Sequence, residues 1–174
     1  ALPISIHAAW ASVAGKGALH PAELGRAVQR HLDAAPEAVL VADGGEFGQW
    51  AQACVNALTR LINGPAGAIG SALPFALAAK LARPNASVVA MLGDGTFGFH
   101  MAEFDTALRA QLPFVAVVGN DACWNAEHQI QLRAYGASRA RGCELLPTRY
   151  DRVVEALGGH GEHVERDRKS TRLN

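Results

Sequence analysis

Two rhythms of apolar and polar positions alternate along this chain. Short, nearly unbroken apolar runs at 38–42, 87–92 and 114–118 have the pattern of strands buried on both faces. Between them, apolar residues recur every three or four positions. That spacing predicts helices over 21–34, 47–57, 69–81, 99–110, 127–134 and 148–157. The first places Leu24, Val28 and Leu32 on one face behind Pro21, a proline at a first-turn position. The fourth carries Met101, Phe104 and Leu108 on one stripe. The last opens with Thr148 and Asp151 in capping-box spacing, aspartate standing in for the usual glutamate. Residues 63–67 read as a loop, and 162–165 as the start of a fourth strand. Strands alternating with helices predict an α/β fold: a doubly wound parallel sheet with helices on both faces.

The same patterning sets the domain boundaries. Residues 1–20 are irregular and read as an incoming linker, and 21–166 form one domain. The polar segment 167–174 has no periodicity and reads as a disordered or non-native tail. A doubly wound sheet is expected to continue with a further helix and strand, so the fold reads as C-terminally truncated.

Composition narrows the class of function. The chain has 174 residues with 49% hydrophobic and 18% charged content, enough for a real core. A formal net charge of zero gives no electrostatic case for nucleic acid or a membrane surface. No apolar run is long enough for a transmembrane helix. Three cysteines without CxxC spacing argue against a disulfide scaffold or structural zinc, and point to a reducing, cytoplasmic setting.

Chemistry concentrates where two of the strands end. Gly93-Asp94-Gly95-Thr96-Phe97-Gly98 follows the second strand, and Gly119-Asn120-Asp121 ends the third. The first segment matches the dinucleotide fingerprint GxGxxG literally, and Asp121 lies about 20 residues further on, where a ribose-binding acid belongs. An NAD-binding Rossmann domain of an oxidoreductase is therefore one reading. Asp94 weighs against it, because two unit charges ~4 Å apart repel by about 4 kcal/mol at an effective dielectric of ~20. A site bridging phosphate through Mg²⁺ needs such carboxylates, since that ion takes hard oxygen ligands.

Gly93-Asp94-Gly95 followed by Asn120-Asp121 resembles the metal–diphosphate motif of thiamine-diphosphate-dependent enzymes. Two upstream segments, 43–50 and 64–74, resemble the diphosphate-contacting loop and the loop–helix of acetolactate synthases and related decarboxylases and lyases, benzaldehyde lyase among them. The resemblance runs from about residue 20 to 165 and implies the C-terminal, pyrophosphate-binding domain of such an enzyme. It implies Mg²⁺ held by the side chains of Asp94 and Asp121 and the backbone carbonyl of Cys123. Gly95 and Thr96 would hold the diphosphate, Gly45, Glu46 and Phe47 would line its end, and Ile69 would wedge the two cofactor rings into a V. Gly67, Gly93, Trp124 and Asn125 are placed at the cofactor by the same resemblance. Glu127 has two readings, a first-turn glutamate favoured by the helix dipole and a proton-transferring acid. The implied substrates are small molecules, 2-oxo acids or hydroxyketones.

The sequence departs from the family pattern at Asp121, where asparagine is more usual. The family's cofactor-activating glutamate belongs to a separate pyrimidine-binding domain, which nothing here resembles. The implied partner is that domain, supplied by a second subunit of a homodimer or tetramer. This stretch alone is expected to turn over little.

Overall fold

The structure is a computed structural model that describes residues 13–15 and 18–165. Most of the expected linker and all of the expected tail at 167–174 lie outside the described residues. The elements are α1 (Pro21–Asp33), β1 (Val39–Ala42), α2 (Gly45–Cys54), β2 (Thr59–Ile62), α3 (Ala72–Ala82) and β3 (Val88–Gly93). There follow α4 (Asp94–His100), α5 (Glu103–Arg109), β4 (Val115–Gly119), α6 (Asn125–Tyr135), a 3₁₀ turn (Ala137–Arg139) and α7 (Tyr150–Ala156).

The four strands form one parallel sheet in the order β2-β1-β3-β4. Successive side chains of a strand point to opposite faces, so β1 and β3 must be apolar throughout to serve two cores. On one face Val39, Val41, Val88, Ala90 and Leu92 pack with Ala72, Leu73 and Ala76 of α3 and with Phe97. On the other, Leu40, Ala42, Val89 and Met91 pack with Ala22, Val28 and Leu32 of α1 and Ala51 of α2. The α/β, doubly wound expectation is thus met. Leu40 is fully buried, and truncating such a residue to alanine costs ~2–5 kcal/mol.

Three details differ from the sequence reading. The fourth strand is β2, not 162–165, which is irregular in the structure. β2 is an edge strand whose residues alternate between half-buried and exposed, and Ile62 stays nearly half exposed, so it lacks the unbroken apolar run that marks β1 and β3. The helix expected at 99–110 is two helices, α4 starting at Asp94 itself and breaking at Met101–Ala102 before α5. Its glycines hid the first turn, and of the expected stripe Met101 and Leu108 are exposed while Phe104 packs on the core. Finally, α7 begins at Tyr150 with no side-chain cap. Asp151 is occupied by the Arg149 guanidinium, with Nε donating to Oδ1 at 2.8 Å, so the expected Thr148–Asp151 capping box does not form. A capping box does open α1: His20 Nδ1 accepts from Ala22 N, and Glu23 accepts from His20 N at 2.7 Å.

Candidate functional site

The strand order reverses direction at β1, whose neighbours are β2 on one side and β3 on the other. Connections leaving β1 and β3 therefore diverge, and a crevice opens beyond their C-terminal ends, where open α/β sheets bind ligands. Three strand-end loops build its walls.

The first follows β1. Gly45 has φ +74, a left-handed conformation that favours glycine, and lets the chain turn abruptly into α2. Asp43, fully buried, accepts from Gly44 N at 2.7 Å and Gly70 N at 3.0 Å through Oδ1, and from Ala72 N at 2.9 Å through Oδ2. Gly44 is held so close to the next loop that a Cβ there would lie 2.8 Å from Ile69 Cγ2. Phe47 lays its ring against Gly119, where a Cβ would meet it at 2.3 Å, and so forms part of the crevice floor.

The second loop follows β3. Gly93 is extended and caps α4, which places Asp94 in the first helical turn with 2% of its surface exposed. Asp94 Oδ1 accepts from Gly95 N at 2.8 Å, but Oδ2 is buried without a hydrogen-bond partner. The Thr96 hydroxyl donates to Gly93 O at 2.8 Å, so its proton is spent inside the turn and a phosphate there would be met by backbone N–H groups. Gly95 has no room for a side chain, because the Trp124 ring lies 2.5 Å from where a Cβ would be.

The third loop follows β4. Asn120 Oδ1 accepts from Ala122 N at 3.2 Å, and its amide donates to Thr148 O at 2.9 Å. Ala122 takes the left-handed conformation, φ +54, unusual for a residue with a side chain. A two-bond clip holds it: Leu145 N donates to Ala122 O and Trp124 N to Cys143 O, each at 2.7 Å. Gln131 of α6 braces the clip by bonding Arg141 N at 2.7 Å through its side-chain oxygen.

Together these loops gather negative charge. Burial pushes the Asp94 carboxyl above its usual range, opposed by the N–H of Gly95. Loss of water also raises Asp121, and the carboxylates of Asp94 and Glu46 raise it further. Glu46 Oε2 is a second buried oxygen with no partner. Leaving a buried acceptor unsatisfied costs ~1–3 kcal/mol, more for a charged group. Three carboxylates with two orphaned oxygens fit a hard divalent cation. Among the described residues no three His, Cys, Asp or Glu side chains form a metal cage by themselves, so a cation would complete its shell with a main-chain carbonyl, water or phosphate oxygen. The Cys123 thiol is pushed up by burial and by the Asp121 charge, which keeps it protonated and a poor ligand for such an ion.

The crevice opens into a groove of about 1910 Å³ that runs along β4. Every sequence-predicted site residue lines it except Gly67, Glu127 included. Gly67 sits in an exposed turn, its N–H donating to Gly64 O at 3.1 Å.

A family model described as thiamine pyrophosphate enzyme, C-terminal TPP binding domain, matches residues 43–173. The chain belongs to this family. A probable acetolactate synthase of Mycobacterium bovis is 44% identical over 154 residues, covering 84% of this chain and 27% of that protein. A 2-hydroxyacyl-CoA lyase 2 of Xenopus laevis is 43% identical over 126 residues, covering 71% of this chain and 19% of its own length. This TPP-binding domain thus spans about a quarter of the curated relatives it matches. A thiamine diphosphate-dependent 4-hydroxybenzoylformate decarboxylase of Rhodococcus jostii shares its fold, with a TM-score of 0.78 at 20% identity over 91% of this chain and 30% of that one. The dinucleotide reading gains no support. A Rossmann fingerprint belongs to the first strand–helix turn of its fold, whereas in this TPP-binding domain the glycine segment follows β3. Among the described residues no helix is long and apolar enough to cross a membrane.

Proposed function

We propose that this domain holds thiamine diphosphate through Mg²⁺ and serves an acetolactate synthase-like or 2-hydroxyacyl-CoA lyase-like enzyme acting on 2-oxo acids or hydroxyketones. The observation that carries the reading is the buried, unpartnered Asp94 Oδ2 beside Asp121 and Glu46. Asp94 and Asp121 ligate the metal by their side chains and Cys123 by its carbonyl. The backbone N–H of Thr96 holds the diphosphate, with Gly95 beside it in the same turn, and Ile69 supports the rings. When bound, the cofactor supplies an electron sink for making or breaking a carbon–carbon bond next to a carbonyl. The protein contributes orientation, a metal clamp and exclusion of water. A pyrimidine-binding domain, from a second subunit, covers the ring end.

Thermal denaturation of the intact protein tests this. Thiamine diphosphate is expected to raise the melting temperature only when Mg²⁺ is present, because a ligand stabilises by binding the native state alone. Asp94→Asn is expected to abolish that response while raising the ligand-free melting temperature, since it removes a buried, under-satisfied charge. Stabilisation by NADH without metal, and none by thiamine diphosphate, would overturn the reading.

A further inference from the structure

Asp43 is the most buried carboxylate among the described residues, and it does not line the groove. Its three N–H partners belong to two separate segments. Gly44 lies in the turn after β1, whereas Gly70 lies in the loop between β2 and α3 and Ala72 is the first residue of α3. Burying an ionised group costs several kcal/mol unless hydrogen bonds answer it. Here they do so only while both loops stay in place.

What Asp43 joins is the two ends of the crevice. One loop runs on into Glu46, beside Asp94 and Asp121. The other carries Ile69, whose Cγ2 would lie 2.8 Å from a Cβ at Gly44, with Asn63 Nδ2 at 2.5 Å. A side chain at Gly44 would therefore have to push the Asn63 and Ile69 side chains aside. Asp43 bonds the residues on both sides of this contact, Gly44 directly and Gly70 next to Ile69.

We propose that Asp43 is a positioning residue that sets the separation between the metal–diphosphate end of the site and the Ile69 wall that supports the cofactor rings. This rests on the cofactor reading above. Asp43→Asn keeps one oxygen for Gly44 N and Gly70 N but turns an amide donor toward Ala72 N–H. That removes one of the two bonds on the Ile69 side, at the start of α3, and loosens that side while leaving Asp94, Asp121 and Gly95 untouched.

Two ligands measured by calorimetry on the intact protein separate positioning from general damage. Mg²⁺ with thiamine diphosphate engages both ends, whereas Mg²⁺ with inorganic pyrophosphate engages one. Asp43→Asn is expected to weaken thiamine diphosphate by about tenfold, the scale of one buried hydrogen bond, and pyrophosphate by less than about twofold. Gly44→Ala pries the same two loops apart from the other side. Its φ of −79 suits alanine, so it is expected to fold and to show the same selective loss should Asp43→Asn fail to fold. Equal loss of both ligands, or loss of neither, overturns the proposal. A wild-type protein that binds neither ligand overturns the cofactor reading itself.

Discussion

Asp94 and Asp121 stand at the ends of adjacent strands, yet they meet different environments. Asp94 is held by its own helix turn and raised chiefly by burial, while Asp121 feels the charges of Asp94 and Glu46 besides. Replacing Asp121 with asparagine, the more usual residue of the family pattern, keeps a side-chain oxygen and removes the charge. Asp121→Asn is thus expected to relieve repulsion in the metal-free site and to weaken attraction for the cation. Calorimetry should show Mg²⁺ affinity lower by about tenfold, or about 1.4 kcal/mol, because charges a few ångströms apart interact on that scale or above at an effective dielectric near 20. Unchanged metal affinity would mean that this charge does not reach the ion. The two aspartates were legible in the sequence because a motif is a local pattern. The bonds of Asp43 were not, because its partners Gly70 and Ala72, in the loop before α3 and at its first residue, are brought near only by the fold.

The helices and loops show which element-level signals survive folding. β1 and β3 were readable because burial on both faces demands an unbroken apolar run. β2 was not, because an edge strand can leave Ile62 nearly half exposed. In the third site loop the sequence reading named residues from Asp121 to Asn125 but not the segment that braces them. The Cys143–Leu145 clip that holds Ala122 comes from an irregular segment with no periodicity to announce it. The start of α7 is a similar case. Its Arg149–Asp151 pair fixes the turn that sets the Tyr150 ring against Phe97, at 4.9 Å between centroids, directly behind the Asp94 helix turn. The Arg149 guanidinium lowers the Asp151 carboxyl from 3.8 to about 2. A depressed carboxyl stabilises the fold fully above its unfolded value, and loses that contribution as pH falls through the folded one. Arg149→Ala is therefore expected to return the Asp151 titration, followed by carboxyl NMR, toward 3.8. It should also remove the part of the acid destabilisation that falls between there and about 2. The same contribution should be missing at neutral pH, where the wild-type pair holds it in full, reduced by the solvent screening of the exposed guanidinium. A titration still near 2 in the variant would assign the shift to another neighbour.

At the scale of the whole molecule, the sheet order places three loops around one crevice but leaves the side next to Ile69 uncapped. Phe99 is 55% and Met101 39% exposed at the end of α4. Phe99 meets Trp124 edge to face at 6.0 Å between centroids, and its Cβ would lie 2.9 Å from one at Gly70. Single exposed apolar residues are ordinary, but one whose ring rests on the crevice-lining Trp124 is placed to meet a partner. Under the proposed function, a pyrimidine-binding domain covering the cofactor rings would seat there and would tie assembly to cofactor retention. Phe99→Ser should then shift the intact enzyme toward smaller species in sedimentation at low protein concentration. Retention of Mg²⁺ and thiamine diphosphate should fall over the same concentration range. The melting temperature of the dissociated species should move little, since half of the ring is already in water. The opposite pattern, an unchanged association constant with a large loss of intrinsic stability, would make Phe99 a packing residue of this domain and move the partner surface elsewhere. Coupling between assembly and cofactor binding follows by linkage: a partner that binds only the loaded crevice must tighten the cofactor by the same free energy with which the cofactor tightens the partner.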